Sequence, residues 1–224
     1  MLSLSAARMA LGRLDRPLSF GLLLVLLAVF VWGGGFLLAG QAALNPWEPT
    51  YLVVLFLAYL FLLAMLVVYL STEISEELGH NTYLDRESFF LRSARVFLIL
   101  LVGFAVLFAL SYVGPLVLLV LGLPVSLIAL YASVIVAIDG YSITGALLEA
   151  LYVIRDVYVD VFEFIALSFV LFSVLAVLDQ LGGIVGPIVA TTLSVLIVLP
   201  WLVGFVVVSY LRRYPIVVAA LRRI

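Results

Sequence analysis

Residues 96–138 read VFLILLVGFAVLFALSYVGPLVLLVLGLPVSLIALYASVIVAI, 43 positions without a charged side chain. At about 1.5 Å of rise per residue, one helix of that length would be roughly 64 Å long, twice the ~30 Å hydrocarbon core of a bilayer. Two crossings therefore fit where one does not. The break lies at Ser111-Tyr112-Val113-Gly114-Pro115, since glycine ends a helix and proline, lacking an N–H, opens the next. Alternation at period two is absent, and the run far exceeds the ~10 residues of a barrel strand. These residues are a hairpin of two membrane-spanning helices, and the fold class is all-α and polytopic.

The same test applied outward divides the rest of the chain. Pro49–Thr72 is free of charge and makes one earlier span; the uncharged residues between Arg16 and Glu48 make another. Past the hairpin, only 15 uncharged residues separate Glu163 from Asp179, so that span must begin before Asp160, near Val157. Gly182-Gly183 and Gly186-Pro187 turn the chain into a last span that stops at Arg212-Arg213. Six spans result, at about 17–40, 50–72, 92–111, 115–138, 157–179 and 187–211, in a single membrane domain covering 1–224. The first is expected to stay uncleaved, because it is longer than the ~7–15-residue apolar region of a signal peptide.

Composition agrees. Two thirds of the residues are hydrophobic and 11% are charged, against roughly 25% in a soluble domain. The chain has no lysine. With six spans, all eleven arginines (8, 13, 16, 86, 92, 95, 155, 212, 213, 222 and 223) fall on one side, which places both termini in the cytoplasm of a plasma-membrane protein. The net charge of −2 argues against a nucleic-acid partner. The lack of cysteine excludes disulfides and thiolate metal sites.

Two polar stretches interrupt the scaffold. In the first, the helix of the second span is expected to continue through Leu78 with Gly79 as its C′ residue, and Thr82-Tyr83-Leu84-Asp85 matches a capping box for the third. Glu73, Glu76, Glu77, His80, Asp85 and Glu87 then occupy a helical hairpin projecting into the cytoplasm. With one histidine in the chain, solvated charge is the better reading there than a metal site. In the second, Ile143, Ala146/Leu147, Ala150/Leu151 and Ile154 recur at helical spacing, with Glu149, Tyr152 and Asp156 off the stripe. This is a short amphipathic helix at the interface, either a lipid-facing elbow or a docking element. Glu76, Glu77, His80, Glu149, Arg155 and Asp156 form the expected cytoplasmic interaction surface.

No ionisable residue is expected at mid-depth in a span, which weakens a proton-coupled mechanism. Serine hydrolase chemistry needs a base beside its nucleophile, and the one His lies in the polar hairpin. Gly33-Gly34-Gly35 permits close helix contact, while Pro124 and Pro200 break the hydrogen-bond ladder, with Thr191, Thr192 and Ser194 at hand for the freed carbonyls. No catalytic, metal or cofactor residue is assigned, and no cofactor is expected.

Asp139-Gly140, Gly145-Ala146-Leu147, Arg155-Asp156 and the Tyr210-Leu211-Arg212-Arg213 ending resemble a group of six-helix membrane proteins. The group includes the membrane domain found with glycerophosphoryl diester phosphodiesterases, YciC-like proteins and archaeal domains of unknown function. The resemblance covers the layout of the full chain and is sharpest over 124–161. Ala150 and Asp156 stand where the family usually has Ser and Gly. It implies a six-helix membrane domain with no established catalytic residue. The phosphodiesterase module is a separate barrel that would need roughly 250 residues of its own. The expected function is a non-enzymatic scaffold or accessory subunit of a membrane assembly, partnered by the bilayer and by a protein in the membrane or cytoplasm. A transport permease subunit working with a separate ATPase is the alternative.

Overall fold

The structure is a computed structural model and describes residues 48–80, 86–181, 189–190 and 193–213. Those residues are helical almost throughout, with no strand among them. Six α-helices are described: α1 (Glu48–Glu77), α2 (Arg86–Val113), α3 (Pro115–Asp139), α4 (Ile143–Asp156), α5 (Tyr158–Leu181) and α6 (Leu199–Leu211). A π-helical turn, Ser194–Val198, leads into α6. Four of them, α1, α2, α3 and α5, are long and apolar enough to cross a membrane, and α6 is a shorter apolar helix. The chain reads as a membrane protein. The expected span at 17–40, Gly33-Gly34-Gly35, the Thr82 capping box, the Gly182–Pro187 turn, Thr191 and Thr192 lie outside the described residues.

The helix boundaries follow from local chemistry. α1 closes in a Schellman motif: Gly79 N–H donates to Glu76 O, His80 N–H donates to Ser75 O, and Gly79 takes φ +78°. Gly114 separates α2 from α3 at φ +147°, a conformation closed to L side chains, and Pro115 opens α3. Ser142 caps α4 by accepting from Gly145 N–H at 3.3 Å. Pro200 cannot donate to the ladder, and the preceding turn widens so that Leu199 N–H reaches back to Ser194 O.

α3 is the hub, packing on α1, α2, α4 and α6. Its residues Tyr131–Ile138 are buried on every side, as are Val203–Leu211 of α6. Close approach needs small side chains, and a Cβ on Gly103 of α2 would lie 3.1 Å from that of Ala129 on α3. Hydroxyls occupy the helix contacts as well. Tyr131 Oη meets Ser209 Oγ at 3.0 Å between α3 and α6, and Ser133 Oγ bonds back to Ala129 O at 2.7 Å. α5 sits differently. It packs on α6 and touches α4, but makes no extended backbone contact with α3.

In the first polar stretch the helix ends as expected, with Gly79 as its C′ residue and Glu76 and Glu77 exposed. Ile74, Ser75 and Leu78 are buried and His80 lies against the end of α3, while residues 81–85 of the expected hairpin lie outside the described residues. The stripe expected on α4 needs one correction. Ile143, Ala146, Leu147, Ala150 and Ile154 do pack on the core and Tyr152 is exposed, but Leu151 is exposed and Val153 takes the inward place. The small residues face α3 because only they allow two backbones to approach.

Candidate functional site

The charged side chains whose placement is described gather at one end of the bundle, where α1, α3 and α6 finish and α2 and α5 begin. A helix leaves its last four carbonyls without an internal donor, and at a membrane boundary that deficit is costly. α3 meets it with side chains from α2. Arg92 Nη1 donates to Ala137 O at 2.7 Å and Ile138 O at 2.9 Å. Arg95 Nη1 donates to Gly140 O at 2.9 Å and Tyr141 O at 3.3 Å. Positive charge there also opposes the negative pole of the helix dipole. Gly140, at φ +69°, turns the chain beneath the Arg92 guanidinium and donates its N–H to Val136 O.

Asp139 stands at that same negative pole, a poor place for a carboxylate. Two neighbours offset it. The Tyr210 hydroxyl at the end of α6 donates to Asp139 Oδ2, and His80 Nε2 lies 3.6 Å from Asp139 Oδ1. One carboxylate thus links the ends of α1, α3 and α6.

A second group ties α6 to α4 and α5. Arg212 Nη1 reaches both carboxylate oxygens of Asp160 at 3.2 Å. Arg213 Nη1 donates to Glu149 Oε1 at 2.6 Å, and its Nη2 lies 3.9 Å from Asp156 Oδ2. The hydrogen bond to Glu149 raises the Arg213 guanidinium above its ordinary pKa, partial burial opposes that, and the charges of Glu149 and Asp156 add to it.

The six residues expected to form one interaction surface separate into three places. Glu76 and Glu77 are exposed at the end of α1. His80 turns inward to Asp139. Glu149 and Asp156 converge on Arg213, and Arg155 lies over the Tyr152 ring at 5.8 Å with its side chain largely exposed. Arg92, Arg95, Asp139 and Tyr210 were read from the sequence as topology markers or family residues, not as partners. A separation of 45 positions between Arg92 and Ala137 leaves no local signal of that bond.

Chemically the arrangement binds helices to one another. Among the described residues no three His, Cys, Asp or Glu side chains come together in a way that could hold a metal ion. Three buried hydroxyls among the described residues, of Ser71, Ser93 and Ser168, have no hydrogen-bond partner. No family model, no curated protein and no solved structure matches the chain.

Proposed function

We propose that the protein is a non-enzymatic six-span scaffold or accessory subunit of a plasma-membrane assembly, with both termini in the cytoplasm. One observation carries the reading: the polar end is occupied by ties between helices. Arg92 and Arg95 serve carbonyls, Arg212 and Arg213 serve carboxylates, and Asp139 joins two further helix ends. Groups held this way set helix positions. A catalytic site instead needs an acid, base or nucleophile directed at an open substrate pocket. The arginine side is the cytoplasmic one by the positive-inside rule. Membership of the six-helix family rests on Asp139-Gly140, Gly145-Ala146-Leu147 and Arg155-Asp156; the first and last of these include residues of the tie network.

The test is direct. Protein purified in nanodiscs and supplied with Mg²⁺, Mn²⁺, Ca²⁺ or Zn²⁺ is expected to hydrolyse glycerophosphodiesters at the background rate, with or without His80. Metal-dependent turnover that disappears in His80→Ala overturns the non-enzymatic reading. The exposed row Leu148, Leu151 and Tyr152 on α4 favours the permease alternative to the extent that it offers a coupling surface. Reconstitution with an ATPase encoded beside the gene decides it: stimulated ATP hydrolysis, lost in Leu148→Glu, would establish the permease.

A further inference from the structure

Because α5 stands off from α3, a cleft of about 470 Å³ remains between them, closed along its inner side by α6. Its walls include Leu127 and Leu130 of α3, Phe164, Ile165 and Phe169 of α5, and Leu202 of α6. The mouth lies at Leu123 and Phe169, both exposed on the apolar surface of the spanning helices.

Water does not suit this space. A buried water needs two to four polar partners, and among the described residues the lining side chains supply only the hydroxyls of Ser126 and Ser168. Ser126 already donates to Gly122 O at 2.8 Å. An empty cleft is no better, since its walls would lose dispersion contacts along their whole length. The adjoining phase is lipid, and hydrocarbon is the material that fills a hydrocarbon wall.

We propose that this cleft is a binding site for one acyl chain of a membrane phospholipid. The size agrees: at about 30 Å³ per water-sized group, 470 Å³ takes on the order of fifteen methylenes. Abundance selects the source, because phospholipid is the bulk component of the bilayer that the mouth of the cleft faces, and the described lining offers only chain contacts. A phospholipid keeps its charged headgroup at the interface and inserts only the chain. A second depression of about 410 Å³ lies against α2, α3 and the first turns of α4. It differs because α2 and α3 are in direct contact there, at Gly103 and Ala129, so it is a surface dip between packed helices.

Native mass spectrometry of the full chain, stripped of loose lipid by detergent exchange, reads the site. One retained phospholipid per protein is expected. Leu123→Trp and Ile165→Trp, which fill the cleft, should lower retention at least tenfold, while Val125→Trp in the other depression should leave it unchanged. Leu130→Phe, a milder filling, replaces either tryptophan variant that loses its helical circular dichroism. Ser168→Ala should retain lipid as the parent does. Three results overturn the proposal: no retained lipid in the parent protein, equal retention in the filled variants, or equal loss in the Val125→Trp control. Loss in Ser168→Ala would also overturn it, because the ligand would then be one that presents oxygen to that hydroxyl.

Discussion

Arg92 caps a helix to which it does not belong. Its two bonds to Ala137 O and Ile138 O are charge-assisted, a class worth about 1.5–3 kcal/mol each when a partner is removed. The site is partly open, so Arg92→Ala should cost about 2 kcal/mol, measured by denaturant unfolding in micelles. Arg92→Lys should recover only part of this, because an ammonium lacks the planar fork of donors. The control is Arg155→Ala, whose exposed side chain should matter by less than ~0.5 kcal/mol. Gly140→Ala tests conformation alone. Its Cβ would meet Arg92 at ordinary contact distance, 3.6 Å, so the expected loss of about 1–2 kcal/mol is the strain of an L residue at φ +69°. For Arg213, a folded pKa above the ordinary value contributes stability that is fully present below the ordinary arginine pKa and fades only as pH rises beyond it. The Arg213–Glu149 tie is therefore expected to be insensitive to pH on the guanidinium side across the range in which the protein can be handled.

Among elements, α4 shows both what the sequence reveals and where it stops. Its existence, its amphipathic character and most of its inward side are legible, since polar residues interrupt the apolar ones at helical spacing. The Ser142 cap is not, nor is the choice of Val153 over Leu151 as the buried residue, because both sides of the helix carry apolar side chains. The long spans share the difficulty more strongly. In α2, Val96 and Ile99 are buried while Leu98 and Val102 are exposed, yet all four are equally hydrophobic. Lipid is as apolar as a protein core, so periodicity cannot mark the buried side. Helix ends were legible for the opposite reason. Gly79 and Gly114-Pro115 have backbone demands that other residues meet poorly. The packing assignment of α4 is testable: Ala150→Leu should destabilise by about 1–3 kcal/mol through overpacking against α3. Leu151→Ala, on the exposed side, should change stability by less than ~0.5 kcal/mol.

For the whole molecule, the described residues put every arginine they include at one end and the α2–α3 turn at the other. The proposed six spans and cytoplasmic arginine end predict a labelling pattern, which the absence of native cysteine makes clean. In intact cells a membrane-impermeant thiol reagent should modify Tyr112→Cys, whose position is 78% exposed at the α2–α3 turn. It should spare Arg155→Cys until the cells are opened. The reverse pattern would invert the orientation. The polar network was not legible at this scale, since its partners lie 45 to 78 residues apart and no spacing rule connects them.

The capping of α3 by α2 also bears on how the chain enters the bilayer. Arg92 and Arg95 are synthesised before the carbonyls they serve, and those carbonyls appear only when α3 is complete. A lone α3 would leave the translocation machinery with an open polar end. Paired with α2, the same segment is closed at one end by guanidinium groups and at the other by the Gly114-Pro115 turn. The unit of biogenesis is therefore expected to be the two-helix pair, leaving for the lipid as one piece.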